Sequence, residues 1–215
     1  MRGLLVKDIE LMKQQKQFFI MVIVMGLILN LSNGSVNFAT GYFTFITAIF
    51  AITTISYDEF DNGLGFLMTL PVTRKQYVAE KYILGTGLTV AGCVAATAEG
   101  AICKVVAELH GDLGETIAGS VAVSLLAFLM LAVSLPLVIY FGTEKGRYIA
   151  IVLWVIIIAV LYALTKTMGL SEAAISKWLD GLNWGITITV AALITAIGYL
   201  SSFWISVQLM EKKEF

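Results

Sequence analysis

Residues whose side chains could do chemistry are few and scattered along this 215-residue chain. Cys93 and Cys103 are the two cysteines, and on a helix their spacing points them in different directions, which argues against a disulfide or a metal pair. The single histidine, His110, has no convergent partners for a metal site or a catalytic base. We find no Gly-x-x-x-x-Gly-Lys-Ser/Thr loop, and "GLGFLM" from Gly63 lacks the strand–helix context of a nucleotide site. The sequence therefore predicts no catalytic residue, no metal and no cofactor held by this chain.

Glu99 is the clearest charged residue inside an apolar run, and such residues are functional candidates by default. It could line a polar pathway or touch a substrate. The simpler interpretation, which the sequence favours, is that Glu99 reaches out of the membrane or pairs with Lys104. Asn30 stands where the first apolar run fades. Either that run is short and tilted, or its polar end, with Asn30, faces the pathway.

These residues must be positioned by helices that cross a membrane. The chain is 59% hydrophobic and 13% charged, whereas a soluble domain is about half apolar and about a quarter charged. Runs of about 20 apolar residues, the length that crosses a bilayer as helix, recur along it. We predict an all-α, single-domain membrane protein with six spans, two within 18–57 and four within 82–209, followed by a tail at 210–215. The net charge of −1 argues against a nucleic-acid partner.

Lysine and arginine residues are distributed unevenly among the predicted loops. If the N-terminus is cytoplasmic, eleven of the 14 basic residues lie on the cytoplasmic side: Arg2, Lys7, Lys13, Lys16, Arg74, Lys75, Lys81, Lys145, Arg147, Lys212 and Lys213. Only Lys104, Lys166 and Lys177 then lie outside. The positive-inside rule therefore predicts that both termini are cytoplasmic.

The first 17 residues, "MRGLLVKDIELMKQQKQ", are charged throughout and lack the apolar region of a cleavable signal peptide. Leu5, Ile9 and Met12 share one helical face, while Lys7 and Asp8 fall elsewhere. This pattern predicts an amphipathic helix lying at the membrane surface over 1–17. The alternative is a solvated tail without ordered contacts.

A polar segment, 58–81, separates the second and third runs. Four apolar residues at helical spacing predict a short amphipathic helix, although its two glycines weaken it as an independent helix: Phe60, Leu64, Leu67 and Met68. Pro71 breaks this helix. Thr73 and Gln76 then form a capping box, in which the first caps the new helix and the second returns a hydrogen bond. The segment is thus predicted to be a structured elbow on which a cytoplasmic motor could push, and the alternative is an ordinary ordered loop.

The stretch "YDEFDNGLGFLMTLPVTRKQYVAEKY" resembles the segment after the second span in permease subunits of type-two ATP-binding-cassette (ABC) exporters. Members of that family show an acidic residue and Asn-Gly, then Leu-Pro-Val-Ser/Thr-Arg and a Tyr. The opening "MRGLLVKDIELMKQQK" is similar to their N-terminal interfacial helix. The resemblance covers essentially the whole chain. Among short members the chain looks most like the Gram-positive permeases that export phenol-soluble modulins.

The resemblance implies that the segment after the second span is a coupling helix, roughly Glu59 to Leu70, that docks on a separate ABC ATPase. The helix restart at Pro71–Tyr77 lies beside it, and Glu59, Phe66 and Arg74 are the residues we expect to contact the ATPase. The full set of residues that the resemblance assigns to coupling is Asp58, Glu59, Asn62, Gly63, Phe66, Leu67, Leu70, Pro71, Thr73, Arg74 and Tyr77.

The resemblance also implies partners and a location. ATP and Mg would be bound by the ATPase, and two permeases, identical or paralogous, would form a dimer in the membrane lipid of a bacterial plasma membrane. The expected substrate is an amphipathic cytolytic or antimicrobial peptide. Two alternatives stay open: a non-transporting immunity or sensory partner of an ABC ATPase, and a membrane-embedded enzyme, for which Glu99 alone supplies too few ionisable groups.

Overall fold

The regular structure is helical throughout the part of the chain that the computed structural model describes, namely residues 2–33, 36–60, 63–106, 113–167 and 183–213. The predicted all-α fold is thus confirmed for these residues. The helices are α1 (Arg2–Gln14), α2 (Lys16–Asn33), α3 (Val36–Glu59), α4 (Gly63–Leu67), α5 (Arg74–Val106), α6 (Leu113–Phe141), α7 (Thr143–Thr167) and α8 (Trp184–Glu211).

Five of the described helices are long and apolar enough to cross a membrane: α3, α5, α6, α7 and α8. A sixth span is present if α1 and α2, which meet at a bend of 64°, count as one broken span. The bend lies at Gln15, between the charged α1 and the apolar α2. The described residues thus contain five candidate spans, and the predicted six depend on how the α1–α2 pair lies in the membrane.

Helix α3 lies at the centre of the bundle, packed against α2, α5, α6 and α7. The largest core cluster joins α3 to α4, α5, α6 and α8, and its completely buried members include Ala48, Val78, Leu131 and Met210. Helices α7 and α8 leave most of their apolar side chains exposed. Such a surface suits lipid, because the lipid tails are as apolar as the side chains themselves.

A close approach of two spanning helices depends on Gly92 of α5. A Cβ atom there would lie 2.0 Å from Oγ1 and 3.0 Å from Cβ of Thr47 in α3. No side chain fits at that distance, so the absence of one lets the two backbones approach. This glycine therefore serves packing within the chain.

Candidate functional site

The segment between α3 and α5 has the predicted elbow form. Helix α4 is one short turn, Pro71 follows it, and α5 begins at Arg74. The capping box is confirmed, since the Thr73 amide donates to Gln76 Oε1 (3.1 Å) and the Gln76 amide donates to Thr73 Oγ1 (3.2 Å). Two amides at the start of α5 are thereby satisfied.

Helix α4 turns one side to the core and the other to the surroundings. Leu64 and Leu67 are buried in the main core cluster, whereas Phe66 is 71% exposed and Leu70 is 46% exposed. Phe60, which we placed on the same face as Leu64, is 73% exposed. That placement was wrong because α4 begins only at Gly63, so Phe60 does not belong to its helical phase.

Glu59 ties the end of α3 to the turn between α6 and α7. Its Oε2 accepts a hydrogen bond from the Thr143 amide at 2.6 Å, and its Oε1 lies 3.3 Å from the Lys213 ammonium. A carboxylate at a helix N-terminus is favourable because the free amides there carry partial positive charge. The turn itself needs Gly142, whose φ of +83° is a conformation that side chains disfavour.

Arg74 ties the start of α5 to the end of α8. Its guanidinium donates to the Met210 carbonyl (3.3 Å) and to the Glu211 carbonyl. The last carbonyls of a helix have no partner within the helix, and a cation that binds them also complements the helix dipole. Two of the three residues that we expected to face an ATPase, Glu59 and Arg74, therefore hold the elbow to other helices.

Asp58 and Tyr77 belong to a buried network of charges. The Asp58 carboxylate accepts from Tyr77 Oη at 3.2 Å, lies 2.7 Å from Lys81 Nζ, and also accepts from Lys7. Lys81 is completely buried, and its ammonium lies 2.5 Å from Asp8 Oδ2. The network thus joins α1, the end of α3 and the start of α5.

Sequence reasoning missed this network because it placed Asp8 on the outer side of α1. The core-facing line of α1 is in fact Leu4, Asp8 and Met12: Leu4 and Asp8 are buried and Met12 packs against a core cluster, whereas Ile9 is 46% exposed. The four-residue spacing of that line was visible in the sequence. The pattern was missed because Asp8 is charged, and a buried carboxylate is expected only where a cation pairs with it.

The remaining coupling residues fall into two groups. Gly63 is sterically required, since a Cβ there would lie 2.9 Å from the Asp58 carbonyl oxygen. Pro71 and Thr73 are exposed beside Leu70. Asn62 lies outside the described residues.

The two predicted pathway residues lie together in the structure. The Asn30 amide donates to Glu99 Oε1 at 3.3 Å, and Asn30 itself is buried. Glu99 also lines an apolar cavity of about 320 Å³ between α2, α3 and α5, with Leu27, Phe43 and Ala98 among the other lining residues. The sequence-favoured partner Lys104 has no described side chain, so the observed partner of Glu99 is Asn30.

No group of three or more His, Cys, Asp or Glu side chains within the described ranges could hold a metal ion. The arrangement at the elbow instead offers a mechanical connection. Its buried and paired side chains bind it to α1, α6, α7 and α8, and its large exposed apolar side chains are Phe60, Phe66 and Leu70.

The apolar helices define the class of protein, a multi-pass α-helical membrane protein. A family model described as "ABC-2 family transporter protein" matches residues 3–211, and the chain belongs to this family. Comparisons with curated proteins and with solved structures found no match. Family membership makes the chain a membrane component of an ABC transporter and implies a partner ABC ATPase.

Proposed function

We propose that this chain is the permease subunit of an ATP-driven exporter and that its elbow, 58–81, docks on the ATPase. The observation that carries the proposal is the exposure of Phe60, Phe66 and Leu70 on a segment that Glu59, Arg74 and the Lys81 network fix to the bundle. Aromatic side chains of this kind commonly supply most of the binding energy of an interface.

The anchors of the elbow suit it to transmit movement. Glu59 connects it to α7, Arg74 connects it to α8, and the network around Lys81 connects it to α1. A displacement imposed on Phe66 by the ATPase would therefore move several spanning helices together, because the connections are ion pairs and hydrogen bonds between packed elements. A loop that was tethered only at its ends would absorb the same displacement.

The proposed substrate is a hydrophobic or amphipathic peptide, moved between two permease copies or paralogues in a bacterial plasma membrane. The apolar cavity beside Asn30 and Glu99 supports this substrate class, since it offers one carboxylate among hydrocarbon side chains. Such a site suits a mainly apolar molecule that carries an amino group. We therefore expect Glu99→Gln to reduce the transport of a lysine-rich peptide more than the transport of an uncharged peptide.

A second candidate is a non-transporting partner of an ABC ATPase, such as an immunity or sensory subunit. It would use the same elbow, and the exposed Phe66 supports it equally. Only the movement of a peptide across the membrane separates the two functions.

The elbow is tested by co-purification of the chain with its ABC ATPase, comparing Phe66→Ala with Tyr148→Ala. Tyr148 is the matched control, because it is an equally exposed aromatic residue (72%) outside the elbow. We expect Phe66→Ala to weaken ATPase binding about tenfold or more, the usual loss at an interface hot spot, and Tyr148→Ala to leave it unchanged.

Equal binding by wild type and Phe66→Ala would overturn the docking assignment. Peptide uptake into inverted vesicles, measured with ATP, then separates the two candidate functions. An exporter accumulates peptide in wild-type vesicles and loses this activity in Phe66→Ala, whereas a non-transporting partner accumulates none.

A further inference from the structure

Arg147 lies between two cavities at one end of α7. One is a polar cavity of about 670 Å³ whose lining includes Ser56, Glu59 and Lys145. The other is an apolar groove of about 300 Å³ between α3, α6 and α7. Arg147 lines both cavities, so a charged region and an apolar region meet at one guanidinium.

The groove is lined by side chains from three spanning helices. Its apolar members include Ile52, Met130, Val138 and Ile151. Trp154 also belongs to this lining, and its indole N–H is buried without a hydrogen-bond partner. An unsatisfied donor is costly where no water is present to bond it, so the position suits a ligand that brings an acceptor.

The charges around Arg147 favour an anion. Its guanidinium donates to Ser56 Oγ at 2.7 Å and to Thr53 Oγ1 at 3.4 Å, which leaves donors free on a group that has five N–H bonds. Lys145 adds a second cation to the same cavity, while the Glu59 carboxylate is matched by Lys213. Of the charged residues around this cavity, only Glu144 opposes an anion without a described ion-pair partner.

We propose that these two cavities together bind one anionic phospholipid. Its phosphate would lie against Arg147 and Lys145, since arginine binds phosphate through paired N–H donors. One acyl chain would fill the groove. Trp154 lies two helical turns beyond Arg147, about 10 Å along the axis, so its N–H would donate to an ester carbonyl. The guanidinium, which lines both cavities, matches the phosphate of such a lipid, and the apolar side chains of the groove match its acyl chain.

A phospholipid is the occupant that the setting favours, because basic pockets between spanning helices at a membrane surface typically hold anionic headgroups. The proposal needs the chain only to span a membrane. It stands whether or not the chain proves to export a peptide.

The test uses Trp154 as the reporter. The full chain is reconstituted in phosphatidylcholine vesicles that contain rising fractions of phosphatidylglycerol with brominated acyl chains, since bromine quenches indole fluorescence on contact. We expect quenching that saturates at low fractions of the brominated anionic lipid. Brominated phosphatidylcholine at the same fractions should quench only in proportion to its amount.

Variants then locate the site. Trp154→Phe, which keeps an aromatic ring but removes the donor and the reporter, should abolish the saturable part of the quenching. Arg147→Gln should weaken lipid binding about tenfold, as the loss of a charge-assisted hydrogen bond does. Lys166→Gln, at the opposite end of α7, is the matched control and should change nothing.

Three results would overturn the proposal. Equal quenching by the two brominated lipids would exclude selection for an anion. Saturable quenching that persists in Trp154→Phe would place the lipid at another tryptophan. Absence of any saturable quenching would mean that the groove is filled by something else, such as a second copy of the chain or a substrate.

Discussion

Within the described part of the chain, Lys81 is the cation that pairs with the buried carboxylates of Asp8, Asp58 and Glu80. Its ammonium lies 2.5 Å from Asp8 and 2.7 Å from Asp58, and it is completely buried. We predict that Lys81→Met lowers the free energy of unfolding in detergent by about 3–5 kcal/mol, because two buried carboxylates lose their common cation. Lys13→Met should change it by less than about 1 kcal/mol, since Lys13 is exposed and its partner is the exposed Glu10.

Glu80 provides a control within the same network. It is completely buried, yet neither of its carboxylate oxygens accepts a hydrogen bond. The network also contains three carboxyl groups, from Asp8, Asp58 and Glu80, for the two ammonium groups of Lys7 and Lys81. Glu80→Gln should therefore be tolerated. A loss in Glu80→Gln as large as that in Lys81→Met would contradict the charge balance described here.

Whether these contacts could be predicted from the sequence depends on how far apart the two residues of each contact lie along the chain. The capping box of Thr73 and Gln76 is local, and its spacing alone predicted it. The pairing of Asp8 with Lys81 joins residues 73 positions apart, and the pairing of Asn30 with Glu99 joins residues 69 apart. Helical periodicity carries no information on which distant helix meets a given face, so these contacts could not be predicted.

At the scale of helices, the crossing of α3 and α5 depends on Gly92. We predict that Gly92→Ala destabilises the chain by about 1–3 kcal/mol, the usual cost of overpacking a core. A loss of stability would point to the close contact, because helix propensity alone favours alanine over glycine by about 1 kcal/mol. Thr47 has little freedom to move away, since it is β-branched and its Oγ1 bonds the Phe43 and Thr44 carbonyls.

The matched control for this substitution is Gly87→Ala on the same helix. A Cβ at Gly87 meets no atom within 4 Å, so the substitution should stabilise the chain slightly through helix propensity. Thr47→Ala should restore stability in the Gly92→Ala background. The measurement is the unfolding midpoint of the wild type, the two glycine variants and the Gly92→Ala/Thr47→Ala double variant. Equal effects of the two glycine substitutions would exclude a close contact at Gly92.

The ends of helices show a second limit of sequence reasoning. Glu59 and Arg74 stand at the ends of α3 and α5, where charged residues are usually solvated. The family resemblance assigned them to a partner surface. In the structure both bind backbone groups at the ends of α7 and α8, and those helices lie more than 60 positions away in the sequence. Their roles depended on the three-dimensional arrangement of the helices.

At the scale of the whole molecule, the path of α2 decides the number of spans. At its start, Phe19 packs on a cluster that includes Leu84 of α5, and near its end Asn30 bonds Glu99. Lys81, which binds α1, and Glu99 are 18 residues apart on α5, or about 27 Å along the helix axis. A bilayer core is about 30 Å thick. Helices α1 and α2 together thus follow α5 over nearly that distance, and the α2 contacts from Phe19 to Asn30 cover 11 residues of it, or about 17 Å. A bent α1–α2 pair that runs along α5 in this way favours six spans.

Six spans place both termini on one side of the membrane, whereas five place them on opposite sides. The test uses single-cysteine variants in a background with both native cysteines replaced by alanine. We predict that an impermeant maleimide on intact cells labels Thr167→Cys. It should not label Gly3→Cys, Thr69→Cys or Lys212→Cys. All four should react after permeabilisation, because each site is exposed. Labelling of Gly3→Cys together with Thr167→Cys would mean that α2 does not cross the membrane. Labelling of the other three without Thr167→Cys would keep six spans but reverse the orientation that the basic residues predict.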